Sequence, residues 1–211
     1  ASRIASVKTS EDISIITENL SMAKNLALAV RQENISHVIH VSSSSVYPNV
    51  DGLFNESSPV DPSQNSDCLY GLSKYNAEVI LSYYLKKNTN LTHLRPAMVH
   101  GPGMDETRII PALKNELRQN NSVTLFGNGE RILNLVDVEK LVQVIEFFIT
   151  HPTNGVFNVV EECISLNTLA QKIINESGNK QSQIILKQEG NKNKFRLDGT
   201  KLNQKLMEKN V

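Results

Sequence analysis

The sequence predicts an α/β fold with a largely parallel sheet and a smaller lobe packed on it. Three observations carry this. Short β-branched runs alternate with longer stretches of helical apolar spacing along most of the chain, the pattern of strands joined by crossover helices. The 211 residues, 39% of them hydrophobic, suit one domain, or one domain with a small appendage. The elements beyond about residue 101 are shorter, which places the smaller lobe in the C-terminal part.

The first helix spans about 10–33. Ser10-Glu11-Asp12 supplies a cap and acidic residues at the positive end of the helix dipole. Ile13, Ile16, Leu20, Ala23, Leu26, Ala27 and Val30 follow helical spacing. The β-branched run 37–41 is a buried strand that ends in Ser42-Ser43-Ser44-Ser45. Residues 46–69, with Pro48, Gly52, Pro59 and Pro62, form a long loop of the kind that is usually functional. A helix follows at about 70–87, turned inward by Ala77, Ile80, Leu81 and Tyr84, and then a strand at 91–94 that stops at Arg95-Pro96. The loop 99–103 leads into a helix at about 107–120. Strands at 123–126 and 131–136 flank the turn Gly127-Asn128-Gly129. Asp137 caps a helix reaching about residue 151, 156–160 is a strand, Ser165 caps a helix ending near Gly178, and 183–186 is the last strand. A polar Lys- and Asn-rich stretch and a short helix close the chain.

Composition narrows the function classes. Lys plus Arg and Asp plus Glu both number 22, so the chain carries no net charge at neutral pH and is not built to bind nucleic acid or an acidic membrane in bulk. No apolar run approaches the ~20 residues of a membrane span. The stretch 1–12 lacks the apolar core of a secretion signal. Cys68 and Cys163 are far apart and read as reduced thiols of a cytoplasmic protein. The five histidines form no ligand motif, so no metal is expected.

One constellation carries chemistry. Tyr70 and Lys74 are four positions apart at the start of a helix, and so lie on one face a turn apart. An ammonium beside a phenol favours the phenolate. In a parallel sheet the C-terminal strand ends line the ligand crevice. The serine run, the Tyr-Lys pair and the Arg95-Pro96 turn would therefore face one cleft.

These pieces, SSSSVYP, YGLSK, LRPAMVHGPG, FGNGERILNLVDV and GVFNVVEECISLNTLAQKI, taken in order, resemble the extended short-chain dehydrogenase/reductases, the NAD-dependent nucleotide-sugar epimerase/dehydratase family. The resemblance implies a Rossmann-like, doubly wound parallel sheet whose N-terminal strands and glycine-rich turn lie upstream, since no GxGxxG follows a strand here. It implies a partial dinucleotide-binding domain over 1–100, to which 131–160 returns in part, and a substrate-binding lobe over most of 101–211.

Residue roles are carried over by position. Tyr70 is implied as the general acid/base for a sugar hydroxyl, Lys74 as its activator and ribose ligand, and Ser43 as the hydrogen-bond partner of the reacting oxygen, with Ser42 and Ser44 competing for that place. Asn19, Val41, Ser42, Pro96, Ala97 and Val99 are implied on the cofactor side. Ser43, Ser44, Ser45, Met98 and Arg131 are implied on the substrate side, where the forked guanidinium of Arg131 suits a diphosphate. The cofactor implied is NAD, with NADP left open. Ser44 and Ser45 stand where the family's 4,6-dehydratases carry Asp-Glu, which disfavours dehydration and leaves epimerase and reductase. Met98 and His100 depart from the family's usual substrate-side residues. The absent glycine-rich turn keeps a second reading open, a non-catalytic relative acting as a binding or regulatory subunit. The helices at 10–33 and 70–87 resemble the pair that joins two copies in this family, so a homodimer is expected.

Overall fold

The computed structural model describes residues 12–85 and 89–208. In chain order these form α1 (Ser14–Gln32), β1 (His37–Val41), a 3₁₀ turn at Ser44–Val46, β2 (Gly52–Phe54), a second 3₁₀ turn at Pro62–Gln64, α2 (Cys68–Tyr84), β3 (Asn90–Pro96) and β4 (Met98–His100). They continue with α3 (Ile109–Asn120), β5 (Ser122–Leu125), β6 (Ile132–Asp137), α4 (Val138–Thr150), β7 (Gly155–Val159), β8 (Glu162–Ser165), α5 (Leu166–Ser177), β9 (Gln183–Leu186), β10 (Phe195–Leu197) and α6 (Thr200–Met207). The expected helix start at Ser10-Glu11 and the end of the second expected helix, beyond Leu85, lie outside the described residues.

The main sheet has the order β1-β3-β7 and is parallel throughout. Helices cover both faces because adjacent strand residues point opposite ways. Val38 and Leu91 meet Ala27 and Val30 of α1 and Leu81 of α2. Leu94, Phe157 and Val159 meet Val144, Phe147 and Phe148 of α4 on the other side. A second core gathers Leu113 and Leu117 of α3, Leu125 of β5, Leu133 and Leu135 of β6, and Leu169 and Ile173 of α5. Asp137 caps α4 by accepting from Glu139 N–H at 2.7 Å, and Ser165 caps α5 by accepting from Thr168 N–H at 3.0 Å.

Four short strands depart from the sequence reading. The 46–69 loop contains β2, which pairs in parallel with β10, a strand inside the polar C-terminal stretch. The 99–103 loop begins inside β4, which pairs with β6. β8 pairs antiparallel with β6. Each has only three or four residues and is held by a partner distant in sequence, so local periodicity carries no signal of it. Among the described residues no helix is long and apolar enough to cross a membrane.

Two histidines sit side by side in the main sheet. His40 Nδ1 and His93 Nδ1 are 3.0 Å apart, and His93 Nε2 meets Ser82 Oγ at 3.0 Å. Burial, with the Lys74 charge nearby, pushes His40 from 6.5 down to about 2. Burial lowers His93 from 6.5 to about 4. Both are neutral in the fold, whereas the unfolded chain binds protons at 6.5. Stability present above pH 6.5 is therefore lost as pH falls below it. For His93 the loss reaches about 3 kcal/mol near pH 4. Urea unfolding at pH 7 and pH 5 should show this loss. A His40→Phe/His93→Leu double variant should show a smaller pH dependence, and an unchanged slope would remove the pair as its source.

Candidate active site

The site starts where β1 ends. Ser42 N–H continues the ladder to Leu94 O at 2.7 Å, and the chain then turns through Ser44–Val46. Ser43 caps that turn: its Oγ accepts from Ser45 N–H at 3.0 Å, and a hydroxyl used this way can still donate its own proton. Ser42 is buried, and its Oγ has no hydrogen-bond partner among the described residues. Ser44 and Ser45 are half-buried.

α2 is pressed against this turn at Gly71. A Cβ there would overlap the Ser45 carbonyl oxygen and come within 3.0 Å of Pro62 Cβ. Here glycine is required by close approach. The contact brings the first two turns of α2, with Tyr70 and Lys74, against the serines. Lys74 is buried, and its Nζ donates to Val41 O at 2.5 Å while lying 6.0 Å from the centre of the Tyr70 ring. Burial lowers the Lys74 ammonium to about 8, with the Glu78 charge working against the shift. Asn19 of α1 donates to Ser73 Oγ at 2.9 Å, and Ser73 donates to Tyr70 O at 2.8 Å. Asn19 thus braces the helix turn that bears the pair.

Pro96 and Ala97 are buried at the end of β3, and Ala97 N–H donates to Val159 O at 2.9 Å. Met98 and Val99 are half-buried in β4, opposite Leu135 and Val136, and Met98 packs on the second core. Arg131 is exposed just before β6. No hydrogen bond or ion pair among the described residues joins its guanidinium to the Tyr70–Lys74 pair, although its carbonyl accepts from Leu166 N–H at 2.9 Å.

One expectation needs correction. Arg95 does not face a cleft. It is buried, with Nε and Nη2 on the two carboxylate oxygens of Glu78 at 3.0 and 2.6 Å and Nη1 on Tyr47 Oη at 2.8 Å. Tyr47 in turn donates to Asn158 Oδ1 at 2.9 Å. Glu78 and Asn158 are not singled out by the sequence, and Tyr47 enters it only within SSSSVYP, with no sign of its contact with Arg95. The available signal was Glu78 standing four residues after Lys74, and a strand arginine among apolar neighbours, which demands a buried partner.

The model of the NAD dependent epimerase/dehydratase family matches residues 1–160. The chain belongs to this family. It is 26% identical over 147 residues to a dTDP-4-dehydro-6-deoxy-D-allose reductase of a Streptomyces species, covering 66% of this chain and 45% of that protein. It is 27% identical over 157 residues to the ADP-L-glycero-D-manno-heptose-6-epimerase of Thiobacillus denitrificans, covering 68% of this chain and 46% of that protein. The matched region therefore spans less than half the length of either curated relative. In three dimensions the epimerase/dehydratase chain is similar to UDP-N-acetylglucosamine 4-epimerase from Methanobrevibacter ruminantium M1, solved in complex with UDP-N-acetylmuramic acid. The TM-score is 0.83 and the identity 23%, over 96% of this chain and 67% of that one. That likeness establishes the Rossmann-like α/β architecture with its parallel sheet.

Proposed function

We propose that this chain carries the acid/base part of an NAD(P)-dependent epimerase or reductase that acts on a nucleotide sugar by hydride transfer. The observation that carries the reading is the placement of Tyr70 and a buried Lys74 one helical turn apart, docked through Gly71 on the turn that begins at Ser43. The phenolate of Tyr70, favoured by the Lys74 charge, takes the proton of a sugar hydroxyl. The Ser43 hydroxyl hydrogen-bonds the same oxygen, flanked by Ser42 and Ser44.

The residues present fit a dinucleotide. Ser42 Oγ is an orphaned buried hydroxyl at the C-terminal end of β1, beside the Val41–Lys74 bond, and Pro96 and Ala97 offer an apolar wall at the end of the neighbouring strand. Asn19, Val41, Ser42, Tyr70, Lys74, Pro96, Ala97 and Val99 would hold it. When bound, NAD(P) supplies a hydride acceptor and donor. Ser43, Ser44, Ser45, Met98 and Arg131 would hold the substrate, with Arg131 suited to a diphosphate. A reductase and an epimerase among the relatives support keeping both outcomes.

The test is an assay of the full-length protein with NAD(H) and NADP(H) against a panel of ADP-, UDP- and dTDP-sugars, beside Tyr70→Phe. A variant as active as the parent would overturn the role of Tyr70.

We further propose that two copies associate through α1 and α2, whose Leu26, Leu28, Val79, Tyr83 and Tyr84 are exposed. Light scattering should give a dimer that Leu28→Glu/Val79→Glu converts to monomer. A parent that runs as a monomer would end this idea.

A further inference from the structure

The proposed substrate site has two ends, Arg131 for a diphosphate and the serine turn for the reacting oxygen, and they stand far apart along the chain. The C-terminal stretch joins them. On one side it grips the start of β6: Asn193 O accepts from Ile132 N–H at 3.0 Å, and Lys192 Nζ lies 3.4 Å from Glu130 Oε1. Arg131 is thereby held through both of its sequence neighbours, and its own carbonyl is taken by Leu166 N–H. On the other side the stretch grips the chain leaving the serine turn. Asn193 Nδ2 donates to Asn49 O, and Lys194 N–H donates to Asp51 Oδ1 at 2.7 Å. Asn49 is a stiff extension of that turn, because Val46, Tyr47 and Pro48 before it are buried. Asn193 therefore touches both sides, with its carbonyl on one and its side chain on the other. It is itself fixed. Its N–H donates to Asn191 Oδ1 at 2.7 Å, and the Asn191 carbonyl presses on Gly127 where no Cβ would fit. Just beyond, the Asn134 side chain of β6 clasps Phe195 O at 3.1 Å and Leu197 N–H at 2.8 Å.

We propose that Asn193 is a positioning residue for the nucleotide-sugar reaction: it sets the spacing between the diphosphate end at Arg131 and the reacting end at the serine turn. This rests on the reading of Arg131 and Ser43 given above. Substitution separates the two halves of the link. Asn193→Ala removes the amide that holds Asn49 and keeps the backbone carbonyl that holds Ile132. Arg131 keeps its place, and the serine turn loses its tie to it. A nucleoside diphosphate engages only the Arg131 end and should bind as before. A whole nucleotide sugar must engage both ends, and its reacting carbon then sits out of register with the serine turn. Asn193→Asp keeps the shape, removes the donor and should act in the same way. A side chain that only held the fold together would lower the melting temperature and leave the kcat of folded protein unchanged.

The experiment uses the full-length protein with a nucleotide sugar that the parent turns over and the matching nucleoside diphosphate as competitive inhibitor. It is run at a temperature where circular dichroism shows parent and variants fully folded. In both Asn193 variants kcat should fall about tenfold or more, as a displacement approaching 1 Å predicts. The inhibition constant of the nucleoside diphosphate should stay within about twofold of the parent's. An unchanged kcat overturns the proposal. So does an inhibition constant that rises as far as kcat falls, because Arg131 has then moved as well. Should the Asn193 variants fail to fold, Asp51→Ala loosens the same clasp from an exposed position and should give the same split. A kcat equal to the parent's in Asp51→Ala would then overturn the proposal. Failure of the functional reading looks different: the parent itself turns over no nucleotide sugar and binds no nucleoside diphosphate, which sinks both.

Discussion

Tyr70→Phe is expected to lower kcat by about 10²–10⁴-fold, the usual contribution of a positioned general acid/base, with KM for the nucleotide sugar nearly unchanged. The substitution removes one hydroxyl and leaves the ring, so the packing of α2 on the serine turn survives. Thermal unfolding should stay close to that of the parent. The pH profile sharpens the expectation. In the proposed reaction the active form has Lys74 protonated, and burial brings its ammonium down to about 8. Activity should therefore fall as pH rises through about 8. The rate remaining in Tyr70→Phe should lose that alkaline limb, because no phenol is left for Lys74 to act on. A Phe variant within a factor of about two of the parent would move the acid/base role elsewhere.

Gly71→Ala should do comparable damage by a different route. The added methyl meets backbone, the Ser45 carbonyl, and a proline ring carbon, neither of which is the free end of a flexible side chain. α2 and the Ser44–Val46 turn must separate. Overpacking of this kind costs about 1–3 kcal/mol of stability. A displacement near 1 Å between a base and its partners costs about 10²-fold in rate. The expected outcome is a folded protein with a lower melting temperature and a kcat reduced about 10²-fold. Unchanged kcat would show that the Gly71 contact does not set the distance between Tyr70 and the serines.

The two variants touch the parts of the site that the chain announces most openly. Tyr70 and Lys74 are legible because a four-residue spacing on a helix has one geometric meaning. The serines are legible because a β-branched run ends in them. Arg95 was misplaced because Pro96 beside it suggests a strand end, whereas β3 runs through both and seals the guanidinium against Glu78. Nothing local announces Asn158, whose side chain accepts from Tyr47 and donates to the carbonyls of Phe54 and Asp198. Those partners lie far away along the chain. β2, β8 and β10 escaped for the same reason.

The pairing of β2 with β10 carries a consequence for the order of assembly. Gly52–Phe54 lies within the segment between the serine turn and α2, and its only strand partner among the described residues is Phe195–Leu197. The rings of Phe54 and Phe195 meet at a tilt, with centroids 5.1 Å apart, and that of Phe54 lies 5.8 Å from the ring of the buried Tyr47. Contacts so distant in sequence close late, because a long loop must first be ordered. During synthesis the loop leading to Tyr70 therefore waits for a strand made long after it. The helix that carries Tyr70 and Lys74 is made well before Phe195–Leu197, and yet the loop that leads to it reaches its final setting only after that strand has docked.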